Sequence, residues 1–423
     1  MSWTSGRLEN SKPADNPPFR VKQFELSQSQ VLLVKGPAKF SFITGSGEVL
    51  GIKNWREPVI VRRGKILPVE PLGDGVKVQV EGGEDMLCEV QEGTRIGSKI
   101  WRPAVSQIMT HLQGCHRCRI VLIGVTDSGK STFATYLSNI LSTSGFKVTF
   151  IDADIGQNDV GPPGSIAVAR PTTLFTDLRD LPPHRMTYVG YISAGVTFKP
   201  ILDSLSRVLS AVHEEDRANS VIVVNTDGFV LSRGLYYKLE LLRLIKPHLT
   251  VTFGPALYEV FSRLYEGQVI EAQIPEGVGK NHADRLIRRM IQYNRFLASS
   301  RPTTINLRDK RLKFLGYDFD EIIQITDLGE VKKGKMNLMP SYEPIALIDR
   351  DITTVVISMG ALRDMFVGLG DEITVHGFGL VSKVYGTTLR VKTPVKGAFS
   401  TVYMGIIRLS GGSAEANAHL GFL

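Results

Sequence analysis

Nine consecutive residues, Gly124-Val-Thr126-Asp127-Ser128-Gly129-Lys130-Ser131-Thr132, have the spacing G-x-x-x-x-G-K-S, which suits a chain that must wrap phosphate. The glycines let backbone N–H groups turn inward around phosphate oxygens, and a helix starting at Lys130 would add the partial positive charge of its N-terminus. Lys130 would then reach β- and γ-phosphates, and the Ser131 hydroxyl could ligate Mg²⁺. The competing explanation is a glycine turn that happens to precede Lys-Ser. A strand-like run before the loop and helical periodicity after it make that explanation the weaker one.

A phosphate loop does not name the acceptor of a phosphoryl group. In Ile151-Asp152-Ala153-Asp154-Ile155-Gly156-Gln157 two carboxylates lie two apart on an extended run, so they share a side. One could take the proton of an attacking hydroxyl while the other helps to hold Mg²⁺ or its waters. The end of a strand beside a phosphate loop is where ligands of open α/β sheets collect. The plainer alternative is a turn that uses aspartates for local hydrogen bonds.

Another strand-like run, Val221–Val224, ends in Asn225-Thr226-Asp227-Gly228. Asn225 stands where a Walker B aspartate would bring charge, which moves the acidic work to Asp152 and Asp154. The Thr226 hydroxyl and the Gly228 backbone could meet a substrate phosphate, or the segment is a simple turn. Further on, Lys280, Arg285, Arg288, Arg289 and Arg295 lie at helical spacing, with Leu286, Ile287, Met290 and Ile291 on another face. This basic helix is either a solvated face or an arginine lid that neutralises charge on a transferring phosphoryl group. Cys115-His-Arg-Cys118 has half the ligands of a zinc site without a second half. It reads as a connector ahead of a strand, in preference to zinc or a redox pair.

These residues need a strand–loop–helix scaffold, and the patterning supplies one. Ile120–Ile123 reads as a strand, Lys130 to about Ser144 as a helix capped by Gly145, and Lys147–Ile151 as the next strand, a βαβ unit. Ile201, Leu205, Val208, Leu209 and Val212 mark a helix, as do Leu235, Leu239 and Leu242. Before this block the short alternating runs Val31–Val34, Lys39–Ile43, Pro58–Val61 and Val76–Val80, separated by glycines, read as strands. After it, β patterning returns at Val355-Val-Ile, Glu372–His376 and Leu389–Lys392. The expected class is α/β: a central P-loop domain with a parallel sheet, flanked by β-rich domains. The expected boundaries are a leader over 1–18, a β domain over 19–105, the P-loop domain over 106–298, a β-rich domain over 299–410 and a tail over 411–423.

With 423 residues, 43% of them hydrophobic and 22% charged, the chain can bury more than one core, and long disorder and coiled coils are excluded. No apolar run approaches the length of a membrane-spanning helix, so no membrane partner is expected. The 50 lysines and arginines against 42 acidic residues leave a net charge of +8, which favours a polyanionic partner. Three cysteines suit a reducing compartment, cytoplasm or nucleus.

Together these motifs resemble the polynucleotide 5′-hydroxyl kinases of RNA processing, whose members include the mRNA-cleavage and tRNA-splicing kinase, the nucleolar pre-rRNA kinase and archaeal relatives. The likeness extends to Phe24-Glu25-Leu26 and Thr44–Gly51, similar to the family's amino-terminal β domain, and to Gly161-Pro-Pro-Gly164, closer to the archaeal and nucleolar branches. The resemblance implies an ATP-dependent, Mg²⁺-requiring kinase acting on 5′-hydroxyl ends of RNA or DNA, with protein partners in RNA processing. It assigns the general base to Asp154 and metal contacts to Ser131 and Asp152. Nucleotide contacts fall to Gly124, Thr126, Asp127, Ser128, Gly129, Lys130, Ser131 and Thr132, with Glu25 toward the base. Lys130, Arg285 and Arg288 would act in the transfer, and Gln157, Thr226, Gly228, Lys280 and Arg289 would touch the substrate. A lysine at 280 departs from the paired lid arginines of the family. Two other classes compete: an ATP-binding scaffold without catalysis, and a GTPase-like switch, for which no Asn-Lys-x-Asp guanine reader is present.

Overall fold

The computed structural model describes residues 20–84, 86–93, 97–195, 197–215, 219–276, 282–315, 323–325, 331–333, 362–385, 388–410 and 414–417. The described chain divides into two units, one formed by 1–49 with 53–93 and the other by 50–52 with 94–423.

Short alternating runs make the first unit all-β. The strands over 20–92 are β1 (Arg20–Leu26), β2 (Gln30–Lys35), β3 (Ala38–Thr44), β4 (Gly47–Val49), β5 (Ile52–Lys53), β6 (Val59–Val61), β7 (Ile66–Pro71), β8 (Val76–Gly82) and β9 (Leu87–Glu92). They form a four-stranded sheet in the order β1-β8-β3-β6 and a five-stranded sheet in the order β5-β4-β7-β2-β9. Along β8 the residues alternate between buried and outward positions, burying Val76, Val78 and Val80, as a sheet with one covered face requires.

The second unit begins with helix α1 (Arg102–His111), a segment the alternation of the preceding strands hides. Pro103 suits its first turn. Just before it, Trp101 packs edge-on against Phe133 at 5.4 Å and donates from Nε1 to the Gln273 carbonyl at 2.9 Å. These contacts tie residues 97–112 to the P-loop domain.

The central elements follow as β10 (Arg117–Ile123), α2 (Lys130–Thr143), β11 (Lys147–Ala153), β12 (Ser165–Ala169), β13 (Arg185–Tyr188), α3 (Lys199–Glu215), β14 (Ser220–Thr226), α4 (Arg233–Ile245), β15 (Leu249–Phe253), α5 (Pro255–Leu264), β16 (Val269–Ala272) and α6 (His282–Leu297). The sheet order is β13-β12-β11-β14-β10-β15-β16. Strands β11, β14, β10, β15 and β16 are parallel; β12 and β13 run antiparallel at one edge. The continuous apolar runs of β10 and β14 are buried on both faces because helices cover both sides. Helix α2 ends as expected: Phe146 N bonds to the Leu141 carbonyl at 3.0 Å and Gly145 lies at φ +86°, a left-handed cap that glycine adopts without strain.

Strand β10 sits between β14, to which the chain arrives after β11, and β15, to which it crosses next. The direction of winding therefore reverses at β10, which places a crevice at the carboxyl ends of β10, β11 and β14.

The C-terminal strands are β17 (Arg301–Asn306), β18 (Arg311–Phe314), β19 (Ile323–Ile325), β20 (Val331–Lys333), β21 (Met365–Gly370), β22 (Val375–Tyr385), β23 (Thr388–Thr393), β24 (Thr401–Ser410) and β25 (Ala414–Asn417). Their main sheet runs β17-β23-β22-β21-β24-β18, with β25 on β24. The strand expected at 355–357 lies outside the described residues. The run expected as a strand from Glu372 enters β22 only at Val375, because the Asp371 carboxylate accepts from Ile373 N and Thr374 N and holds 371–374 in a turn. These strands cluster with the P-loop domain through an aromatic seam. Tyr188 packs against Phe366 and Phe378, Tyr293 against Phe366, and Phe296 against Phe378, all within 6 Å between ring centres.

Candidate active site

The phosphate loop spans the end of β10 and the start of α2. Gly129, at φ +90°, immediately precedes Lys130, the first residue of α2, so the helix N-terminus opens onto the loop. Lys130 is buried and donates from Nζ to the carbonyls of Gly124 at 2.8 Å and Val125 at 2.7 Å. Burial pushes its ammonium down to about 8, opposed mainly by the charge of Asp154.

The two carboxylates of β11 part company. Asp154 faces the crevice, and its Oδ1 accepts from Gly156 N at 3.1 Å and Gln157 N at 3.0 Å. Burial and then Asp227 push its carboxyl pKa up, while Lys130 pulls it down. Asp152 is fully buried. Its Oδ2 accepts from Asp159 N at 2.9 Å and its Oδ1 from Asn225 Nδ2 at 3.1 Å. Burial, then the charges of Asp159 and Asp154, push it up to about 7.

Strand β14 ends beside them. Asn225 Nδ2 also approaches Ser131 Oγ at 3.4 Å, while its buried Oδ1 has no hydrogen-bond partner. Thr226 is withdrawn from the crevice: it is fully buried, and its hydroxyl donates to the Leu122 carbonyl at 2.7 Å. A Cβ on Gly228 would fall 2.2 Å from Thr126 Oγ1 and 2.5 Å from Thr126 N. Only glycine permits the β14 turn to lie against the phosphate loop. The turn is braced from α4, because Asp227 pairs with the fully buried Lys238 at 3.1 Å and accepts from Tyr237 OH at 3.0 Å. No spacing in the sequence pointed to Lys238, twelve residues beyond Thr226 on another element.

Helix α6 crosses the mouth of the crevice with one polar stripe turned inward. Arg285 meets the phosphate-loop residue Asp127 at 2.6 Å. Arg288, 6% exposed, bonds both carboxylate oxygens of Asp159 at 2.7 and 2.6 Å. Gln292 donates to the carbonyls of Asn158, Asp159 and Gly161, and Arg295 to those of Asp159 and Leu181. The 285, 288, 292, 295 spacing is one face of a helix, so the solvated-face reading of this segment gives way: the stripe is docked. Lys280 lies outside the described residues.

The crevice, about 370 Å³, is lined by the loop 126–132, Asp154, Gly156, Gln157, Gly228 and the arginines 285, 288 and 289. Ile192, Ser193, Ala194 and Phe229 also line it; loop residues without charge gave no sequence signal. Both polar atoms of the Gln157 side chain are buried there without a hydrogen-bond partner, an arrangement that costs free energy unless a ligand completes it. Glu25 lies in the first unit on β1, with its carboxylate 3.7 Å from Lys77. Among the described residues no group of three His, Cys, Asp or Glu side chains is arranged to hold a metal. Cys115 and Cys118 meet across the turn into β10.

Oxygen donors suited to Mg²⁺ are nevertheless adjacent. Asn225 bridges the Ser131 hydroxyl and the Asp152 carboxylate, and its own Oδ1 is unsatisfied. Mg²⁺ takes one or two protein oxygens, waters and phosphate rather than a full protein cage, and this donor set fits it.

Residues 124–299 match the family described as the mRNA cleavage and polyadenylation factor CLP1 P-loop. A polyribonucleotide 5′-hydroxyl-kinase of Methanocaldococcus jannaschii is 35% identical over 133 residues, covering 31% of this chain and 36% of the relative. One of Pyrococcus horikoshii is 27% identical over 193 residues, covering 45% and 52%. The human polynucleotide 5′-hydroxyl-kinase NOL9 is 36% identical over 142 residues, covering 32% and 19%. The chain thus matches about half or less of the length of each. The Clp1p chain of a wild-type Clp1p–Pcf11p complex superposes with a TM-score of 0.68 at 12% identity, over 92% of this chain and 98% of that one, and so shares the fold. No helix among the described residues is long and apolar enough to cross a membrane. The segment 124–299 that matches the CLP1 P-loop family is the one that carries the phosphate loop between a parallel strand and its helix, with the crevice at the sheet's switch point.

Proposed function

We propose that this chain transfers the γ-phosphoryl group of ATP to the 5′-hydroxyl end of RNA. The observation that carries the proposal is Asp154: a carboxylate anchored by two backbone N–H groups, opening onto the crevice and electrostatically coupled to the phosphate-loop Lys130. The names of the kinases from Methanocaldococcus jannaschii and Pyrococcus horikoshii agree with it.

In this reading Lys130 and the loop amides hold the triphosphate. Asp154 accepts the proton as the 5′-oxygen attacks the γ-phosphorus; the bond to the β,γ-bridging oxygen breaks and ADP leaves. A pKa raised by burial makes Asp154 a better base than an ordinary carboxylate. Ser131 would hold Mg²⁺, with Asp152 behind it; the ion would neutralise charge on the β- and γ-oxygens. Arg285, whose partner Asp127 belongs to the phosphate loop itself, and Arg289 line the crevice and would meet the γ-phosphate. Arg288, tied to Asp159, holds the helix that carries them. Gln157 offers its unpaired amide to the acceptor strand. A protein partner and a reducing compartment belong to the same reading.

The test is incubation with γ-labelled ATP, Mg²⁺ and 5′-hydroxyl oligonucleotides of RNA and DNA, with Lys130→Ala as control. Label should reach RNA ends with the native chain alone. ATP binding, seen as a rise in melting temperature, without any transfer would instead support the scaffold reading.

A further inference from the structure

The C-terminal sheet presents a basic face that the kinase chemistry does not use. Strands β17, β23 and β22 contain no aspartate or glutamate. On β23, Arg390 and Lys392 are exposed while Leu389 and Val391 are buried, so both cations stand on the outer side. The register pairs Arg390 with Thr304 of β17 and with Lys383 of β22, and Tyr385 with Thr388. Paired residues share a face.

A β-bulge decides which residues of β22 join them. The register shifts between Val381 and Lys383, which leaves Ser382 as the extra residue. Val381 still faces the apolar core beside Val391, but Lys383 and Tyr385 turn outward with Arg390. Without the extra residue, strict alternation would send Lys383 to the core side. The bulge therefore builds a patch of three cations around a tyrosine that is 57% exposed.

This face is continuous with α6. Phe378 and Leu380 precede the bulge on the same side of β22, and the ring of Phe296, near the end of α6, lies 5.9 Å from that of Phe378. The patch starts where the α6 contact stops.

We propose that the outer face of β17, β23 and β22 binds the single-stranded body of the RNA whose 5′ end occupies the crevice, with Lys383, Arg390 and Lys392 on its phosphates and Tyr385 stacked on a base. Charge complementarity selects a polyanion. The exposed aromatic on an antiparallel sheet selects unpaired bases, which stack on such side chains, over a duplex whose bases are hidden. The inference rests on the RNA kinase reading, and binding and transfer are therefore measured separately.

Anisotropy of a 3′-labelled, 5′-hydroxyl RNA of about twenty nucleotides is followed against salt for the native chain, for the triple variant Lys383→Ala, Arg390→Ala, Lys392→Ala, and for Tyr385→Ala. The triple variant should lower the slope of log K against log salt by about 2, since each phosphate contact on a single strand contributes roughly 0.7. Tyr385→Ala should weaken binding at least about fivefold. Phosphorylation of a 5′-hydroxyl dinucleotide, too short to reach the patch, should keep its rate in both. Unchanged affinity and slope would overturn the proposal, as would equal losses on the dinucleotide and the long RNA. If the triple variant melts early, Lys383→Gln and Lys392→Gln carry the same test, each lowering the slope by about 0.7. A native chain that binds long RNA through this patch but transfers no phosphate would overturn the kinase reading and leave the patch standing.

Discussion

Arg288 on α6 and Asp159, which follows β11, form a buried two-point ion pair, both carboxylate oxygens lying within 2.7 Å of one guanidinium nitrogen. Next to it, Arg285 makes a more exposed pair with Asp127. The two arginines, three residues apart, therefore have different work.

Arg288→Ala would take the guanidinium away from the buried Asp159 carboxylate, and breaking one side of such a pair costs about 3–5 kcal/mol. A large fall in melting temperature is expected, together with loss of activity. Arg285→Ala should leave melting nearly unchanged, since a partly exposed pair contributes about 0–1 kcal/mol, and should instead lower kcat by about 10³-fold if the side chain meets the transferring group. Equal melting temperatures for the two variants would remove the distinction drawn here.

Asp154→Asn keeps the shape and its contacts with Gly156 N and Gln157 N but cannot accept a proton. Turnover should fall on the order of 10²–10⁴-fold while ATP affinity survives. Asp152→Asn should act mainly through Mg²⁺ dependence, read as a raised metal concentration at half-maximal rate. If Asp152→Asn alone abolishes turnover, the roles of the two carboxylates are exchanged.

Gly228→Ala places a methyl group 2.2 Å from Thr126 Oγ1 and 2.5 Å from Thr126 N, closer than any side chain tolerates. The phosphate loop or the β14 turn must move. The expected outcome is a weaker ATP complex, with calorimetry showing at least about a tenfold loss, since overpacking of this kind costs about 1–3 kcal/mol. Native affinity in this variant would show that the turn is not seated on the loop.

Glu215, at the end of α3, lies 3.0 Å from His184 and Arg170 and 2.7 Å from Arg185. The hydrogen bond from His184, then that from Arg185 and the charges of Arg170 and Arg185, hold its carboxyl below the usual range. A lowered folded-state pKa means that the native chain binds this proton less readily than the unfolded one. The stabilisation is therefore present above the unfolded pKa and is lost as pH falls through the folded value. Glu215→Gln should cost about 1 kcal/mol or less at pH 7, given the exposure of the cluster, and its melting curve should converge on the native one in acid. A constant difference at all pH values would mean that packing, not charge, is what Glu215 contributes.

The local arrangement of the candidate site was legible in the sequence because it depends on neighbours along the chain. A phosphate loop needs its glycines, Lys130 and Ser131 at fixed offsets between a strand and a helix, and Asp152 and Asp154 follow at the end of the next strand. The alternation of β8 and the apolar runs of β10 and β14 likewise report burial on one or both faces, a property of the strand itself. What the tertiary structure alone decided was where each residue faces and what it meets. Asp152 and Asp154, alike in the sequence, separate because Asn225 and Asp159 N enclose one while the other faces the crevice. Arg285 and Arg288, one helical turn apart, separate because their acidic partners come from a loop 158 residues away and a turn 129 residues away. Thr226 turned into the sheet because Leu122 on the neighbouring strand offers a carbonyl, and a single bulge residue, Ser382, set which side of β22 carries Lys383. Burial, partner and facing depend on segments that meet only when the chain is folded, and no periodicity along one segment encodes what the other will bring.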